Sequence, residues 1–246
     1  MINSLIKYMP ETAIRWIYQK KIIEGSGNIM TQDSGKNSNR LLILLLLADF
    51  VFILIHLLFS KHLFSNPLFS IEMDRGYAEV YQYIKEFWIL VLLCFMALKN
   101  KQIIYFGWSI LFMYLLFDDS LQIHERLGSI LSNRLHLQPG FALRADDIGQ
   151  IGASALFGIL LFSVLGFAYL LSDDTAKQVS KRLFILVVCV AFFGVVVDMF
   201  HVAIPGGGLI LGIIEDGGEM VIMSMIVSYV FDQGAFQRLY PKPQRG

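Results

Sequence analysis

Long, nearly unbroken apolar blocks constrain this chain more than any other feature. About 20 apolar residues suffice to cross roughly 30 Å of hydrocarbon. Inside lipid, only an α-helix lets such a segment pair all its backbone N–H and C=O groups internally; the alternative is a closed barrel. Six spans can be placed, at about 41–59, 77–98, 103–125, 150–171, 183–203 and 209–231. Composition points the same way, with 56% hydrophobic and only 16% charged residues, against about 25% charged in soluble domains. The expected fold class is an all-α integral membrane protein, a bundle of about six transmembrane helices.

Residues 1–40 differ in character. The segment from Glu11 to Gly25 interleaves Ile14, Trp16, Ile17, Ile22 and Ile23 with Arg15, Lys20 and Lys21, which predicts an amphipathic helix lying in the membrane interface. A polar linker comes next, so the chain divides into a cytoplasmic segment over 1–40 and a six-helix domain over 41–246. The N-terminal region, the loops at 99–102 and 172–182 and the C-terminal tail hold most of the 20 basic residues. By the positive-inside bias both termini are expected in the cytoplasm, and the membrane is expected to be a bacterial inner (plasma) membrane. Formal net charge is zero, which gives no basic field for nucleic acid. Ser154, Gly158 and Gly166 share a stripe on the fourth span and are expected to let helices approach closely.

Three short strings carry the chemistry, each interrupting an apolar span. The first runs from Asp118-Asp119 to His124-Glu125, the second is Asp198-Met-Phe-His201, and the third is Glu215-Asp216-Gly-Gly-Glu219. At 1.5 Å per residue, Asp118 and Asp198 each lie about 22 Å along their spans, and Glu215 about 9 Å below the opposite end of the last. All three strings therefore fall at one level, in the outer part of the bilayer. Asp198 and His201 share a helical face, as do Glu215, Asp216 and Glu219. His124 leaves the arc of Asp118, Asp119 and Glu125 unless the third helix ends near Gln122 and the His124-Glu125 pair turns inward.

Charges at mid-span cost roughly 2.5–3.5 kcal/mol each even on lenient scales. Lys85 is the one basic residue well inside a span, so most of these acids need protons, water or a bound cation. Carboxylates with one or two imidazoles suit Fe or Mn better than Zn. Asp198-x-x-His201 also has the i,i+3 spacing of di-iron helix bundles, with Asp in place of Glu. The expected ligands of one or two metal ions are Asp118, Asp119, His124, Glu125, Asp198, His201, Glu215, Asp216 and Glu219. Asp49 with His56, Glu79 with Glu86, and Asp146 with Asp147 are candidates for orienting those ligands.

These readings lead first to a membrane metalloenzyme, an oxidoreductase or hydrolase, acting on a lipid or other apolar substrate from the outer side. A proton or divalent-cation transporter is the second possibility. An accessory subunit among partner membrane subunits, with a structural metal or ion-pair network, is the third.

Overall fold

A computed structural model describes residues 37–63, 65–140, 143–204 and 208–239. The expected N-terminal amphipathic helix lies outside these residues. The described elements are helices α1 (Asn37–Ser60), α2 (Tyr77–Asn100), α3 (Ile103–Leu121), α4 (Ile123–Leu135), α5 (Ala145–Leu170), α6 (Asp174–Ala191), α7 (Asp198–Ala203) and α8 (Gly208–Leu239). A turn of π-helix, Phe192–Val197, joins α6 to α7, and a short 3-10 turn, Pro67–Phe69, lies between α1 and α2. Among the described residues there is no strand, and a single isolated bridge pairs Gly140 with Leu143.

Five helices are long and apolar enough to cross a membrane: α1, α2, α3, α5 and the continuous run Asp174–His201. Their outward faces carry large apolar side chains. On α1 alone, Ile43, Leu44, Leu47, Phe50 and Leu54 are all exposed. Apolar exposure on this scale needs a membrane or a partner to cover it. The interior is built from α2, α3, α6 and α8, where Ile89, Leu93, Trp108, Phe112, Leu183, Met223 and Ile226 form one buried cluster. The Trp108 indole N–H donates to Ser180 Oγ at 2.9 Å, which satisfies the polar end of a buried ring.

The third span is shorter than the expected 103–125. It ends at Leu121 because Gln122 adopts a left-handed backbone (φ 53°, ψ 48°), and a separate helix, α4, starts at Ile123. The fourth and fifth spans begin earlier than predicted, at Ala145 and Asp174, because polar first turns are capped. On α5 the Asp147 side chain accepts from the Arg144 backbone N–H and guanidinium, and on α6 the Asp173 side chain accepts from Ala176 N. The expected close packing at Gly158 and Gly166 does not occur, since a Cβ added at either would meet nothing within 4 Å. Close approach lies instead at Gly128 and Gly149, where α4 and α5 cross so tightly that a Cβ on Gly149 would strike the Gly128 carbonyl.

Candidate functional site

The acids of separate helices meet at one cavity of about 390 Å³ inside the bundle. Six of them line it: Glu86 from α2, Asp118 and Asp119 from α3, Asp147 from α5, Asp198 from α7 and Glu219 from α8. His124 joins them, and the rest of the wall is mostly apolar, with Leu111, Ile151, Phe162, Val190 and Met223 among its residues. Glu125, His201, Glu215 and Asp216 do not line the cavity.

Two local irregularities arrange this wall. The first is the break at Gln122, after which α4 starts anew and packs on α5. Asp118 accepts the His124 backbone N–H at 2.7 Å, and its other oxygen lies 3.1 Å from His124 Nδ1. This hydrogen bond to the imidazolium holds His124 above its ordinary pKa. Burial, with Asp74 close by, moves the neighbouring Glu125 upward too. The preceding loop grips the same corner: Gln122 donates to Asp74 at 3.0 Å and accepts from Arg75 at 3.4 Å.

The second irregularity is the π-turn Phe192–Val197. An extra residue in a helical turn rotates the helix beyond it, and such turns often occur at functional sites. Here the turn delivers Asp198 to the cavity and packs directly on α8. A Cβ on Gly194 would collide with the Glu219 carboxylate, and one on Gly218 would overlap the Phe193 ring. Glycine at 194 therefore makes room for a buried acid, and Gly218 makes room for the aromatic ring beside it.

Beside the cavity, His201 Nδ1 lies 2.7 Å from Glu215 Oε2. Asp198, which lines the cavity, is an electrostatic neighbour of both His201 and Glu215. Glu86 and Asp119, from α2 and α3, are electrostatic neighbours on the cavity wall. Gln82 Oε1, Glu86 Oε2 and Tyr114 Oη belong to residues lining the same space and are buried without a hydrogen-bond partner among the described residues.

One buried cation stands next door. Lys85 is 0% exposed and donates to Asp49 Oδ1 at 3.1 Å, to the Met220 carbonyl at 2.8 Å and to Ser224 Oγ at 3.4 Å. Ser224 in turn donates to Asp49 Oδ2 at 2.6 Å. Asp49 is thereby engaged by Lys85 rather than by His56, its neighbour on the α1 face. His56 Nδ1 accepts from Ile71 N at 3.3 Å and lies 3.2 Å from Ser70 Oγ. Asp147, in the first turn of α5, is tied to Arg144 at 2.7 Å. That partner holds the Arg144 guanidinium above its ordinary pKa.

Among the described residues, no three His, Cys, Asp or Glu side chains already surround one point as a metal would require. The expected ligand set is thus divided into a cavity group and a His201–Glu215 pair that share Asp198. Glu86 is the acid that sequence reasoning ranks too low. Its signal is the i,i+4 relation to Gln82, beside Lys85, on the buried face of the span.

The fold and site together define an all-helical integral membrane protein with an acid-lined internal cavity. The chain belongs to the family described as Domain of unknown function (DUF8692), whose model matches residues 40–232. No curated protein and no solved structure matches it.

Proposed function

We propose that this protein is a metal-dependent membrane enzyme acting on a lipid or other apolar substrate. The supporting observation is the position of Asp198, which lines a largely apolar cavity and is an electrostatic neighbour of the bonded His201–Glu215 pair. One or two Fe or Mn ions drawn in among Asp198, His201 and Glu215 would have mixed carboxylate–imidazole ligation. A substrate in the cavity would then lie beside a metal able to polarise it or to activate water or oxygen. Asp118 with His124, and Asp119 with Glu219, supply further ligands or proton-transfer groups on the other walls. In this reading α8 is the sixth crossing, residues 1–40 lie on the cytoplasmic face, both termini are cytoplasmic, and the site opens towards the outer side of a bacterial inner membrane.

Metal content is the test. Protein purified in mild detergent is expected to retain one or two equivalents of Fe or Mn by elemental analysis. Asp198→Asn and Glu215→Gln should each lose most of it while circular dichroism stays helical. Wild-type protein that is folded but metal-free, and stays so after reconstitution with Fe(II) or Mn(II), rules the enzyme reading out.

The Lys85–Asp49–Ser224 network favours a second reading, a proton or cation pathway. It continues the polar line from Glu86 into the α1 interface, where an apolar bundle would otherwise seal the cavity off. Flux into liposomes that depends on both Asp49 and Glu219 would select this reading over the enzyme.

A further inference from the structure

We infer that the cavity is built to receive a ligand carrying a primary ammonium head on an apolar body. The inference rests on the cavity being a substrate site, and it goes further by assigning the chemistry of that substrate.

Charge comes first. Of the six acids lining the cavity, Asp147 is paired with Arg144 and Asp118 with His124. Glu86, Asp119 and Glu219 come from three different helices and are electrostatic neighbours of one another. Lys85, the nearest buried cation, is an electrostatic neighbour of Glu86 and Glu219, but its hydrogen bonds go to Asp49, the Met220 carbonyl and Ser224.

Unmet hydrogen bonding is independent of charge. Gln82 is 7% exposed and Glu86 1% exposed, and each keeps a buried acceptor oxygen with no donor among the described residues. Both residues line the cavity. A buried acceptor left without a donor is unfavourable, so a partner that donates is called for. An ammonium offers three N–H donors and no acceptor. The protein already shows how it holds such a group, since Lys85 has three oxygen acceptors around one Nζ.

Shape excludes a bare ion as the whole occupant. A volume of about 390 Å³ falls in the range of about 300–1,000 Å³ typical of small-molecule sites. Most of the wall is apolar, and Gly158 faces open space where α5 passes α6 with little contact. That seam gives an apolar tail a route from the membrane while the head sits against the acids.

The test uses full-length protein in mild detergent with three probes of one chain length: dodecylamine, dodecanol and dodecanoate. Retention of radiolabelled probe, at fixed micelle concentration and pH 7, is expected to favour the amine over the alcohol by about tenfold or more, the scale of one charge-assisted hydrogen bond. Glu86→Gln and Glu219→Gln should each remove about that factor for the amine and leave the alcohol unchanged, which also shows that the cavity is intact. Asp174→Asn, outside the cavity, should bind as wild type does. Equal retention of amine and alcohol, preference for the carboxylate, or an amine preference that survives both Gln variants overturns the inference. Metal analysis on the same preparation separates the two proposals. Bound metal without amine preference leaves the enzyme and removes the ammonium, whereas amine preference without metal does the reverse.

Discussion

Replacing Lys85 with Met tests how the first helix is held to the bundle. Lys85 Nζ makes three hydrogen bonds, and the Asp49 carboxylate it meets is 1% exposed. Removing the ammonium leaves Asp49 with only the Ser224 hydroxyl as a donor among the described residues. Stranding one member of a buried ion pair costs about 3–5 kcal/mol in soluble proteins. An interhelical hydrogen bond in a membrane bundle is worth only about 0.6 kcal/mol on average, so the unpaired charge dominates. Asp49 can limit that cost by taking up a proton, which brings the expected loss to about 2–3 kcal/mol. Asp49→Leu should lose about as much by stranding the ammonium. The double variant removes both charges and should lose only about 1–2 kcal/mol, for a coupling of about 3 kcal/mol. Unfolding free energies in mixed micelles, monitored by circular dichroism, supply the cycle. Additive single losses would refute the account, because they would mean that the two charges do not depend on each other in the folded bundle.

Two further predictions concern packing and pH. Gly149→Ala should destabilise by about 2–3 kcal/mol, since its Cβ would meet the Gly128 carbonyl, which no side-chain movement can relieve. Gly166→Ala, with nothing within 4 Å, should stabilise by about 0.5–1 kcal/mol through helix propensity alone. Thermal midpoints that fail to separate these two variants would contradict the α4–α5 crossing. At the α3–α4 corner, Asp118 raises the His124 pKa, with Asp119 and Glu125 adding in the same direction. A raised histidine stabilises the fold fully below its unfolded value of about 6.5, and that contribution fades as pH rises through the folded value. The stability advantage of wild type over His124→Gln should therefore be largest in mild acid and shrink towards alkaline pH. A gap that widens with pH would show that His124 is not held as the cation.

The fold class was legible because lipid imposes a length rule, and five of the expected spans recur as helices of spanning length. Helix ends were less legible, since hydropathy stops at the first charge while backbone geometry does not. Asp146 and Asp147 sit inside α5 because Asp147 takes up the Arg144 N–H and guanidinium, and Asp174 opens α6 because Asp173 caps it. The meeting of acids was readable from depth and helical phase: Asp118, Asp119, Asp198 and Glu219 do share a cavity. Phase arithmetic missed the split between that cavity and the His201–Glu215 pair. It weighed a helix end near Gln122, where the chain has a left-handed residue, but assumed a regular helix into 198, where the chain has a π-turn. Small residues misled for a related reason. Spacing alone marked Gly158 and Gly166, but contact depends on which face meets a neighbour, and that fell to Gly128 and Gly149.

The irregularities and the acids explain one another. A regular helix through 118–125 would carry His124 away from the arc of Asp118, and its backbone would have no need of a carboxylate. Once Gln122 breaks the ladder, the His124 N–H needs an acceptor, and Asp118 supplies it at 2.7 Å while drawing the imidazole towards the cavity. In lipid an unmet backbone group costs several kcal/mol, so the acid that serves the site also makes the break tolerable. The π-turn obeys the same logic from the opposite side, because its looser winding opens the place at Gly194 that the Glu219 carboxylate fills. Helix distortion and buried charge would each be unfavourable alone, and here each occupies the space or the hydrogen-bonding group that the other leaves.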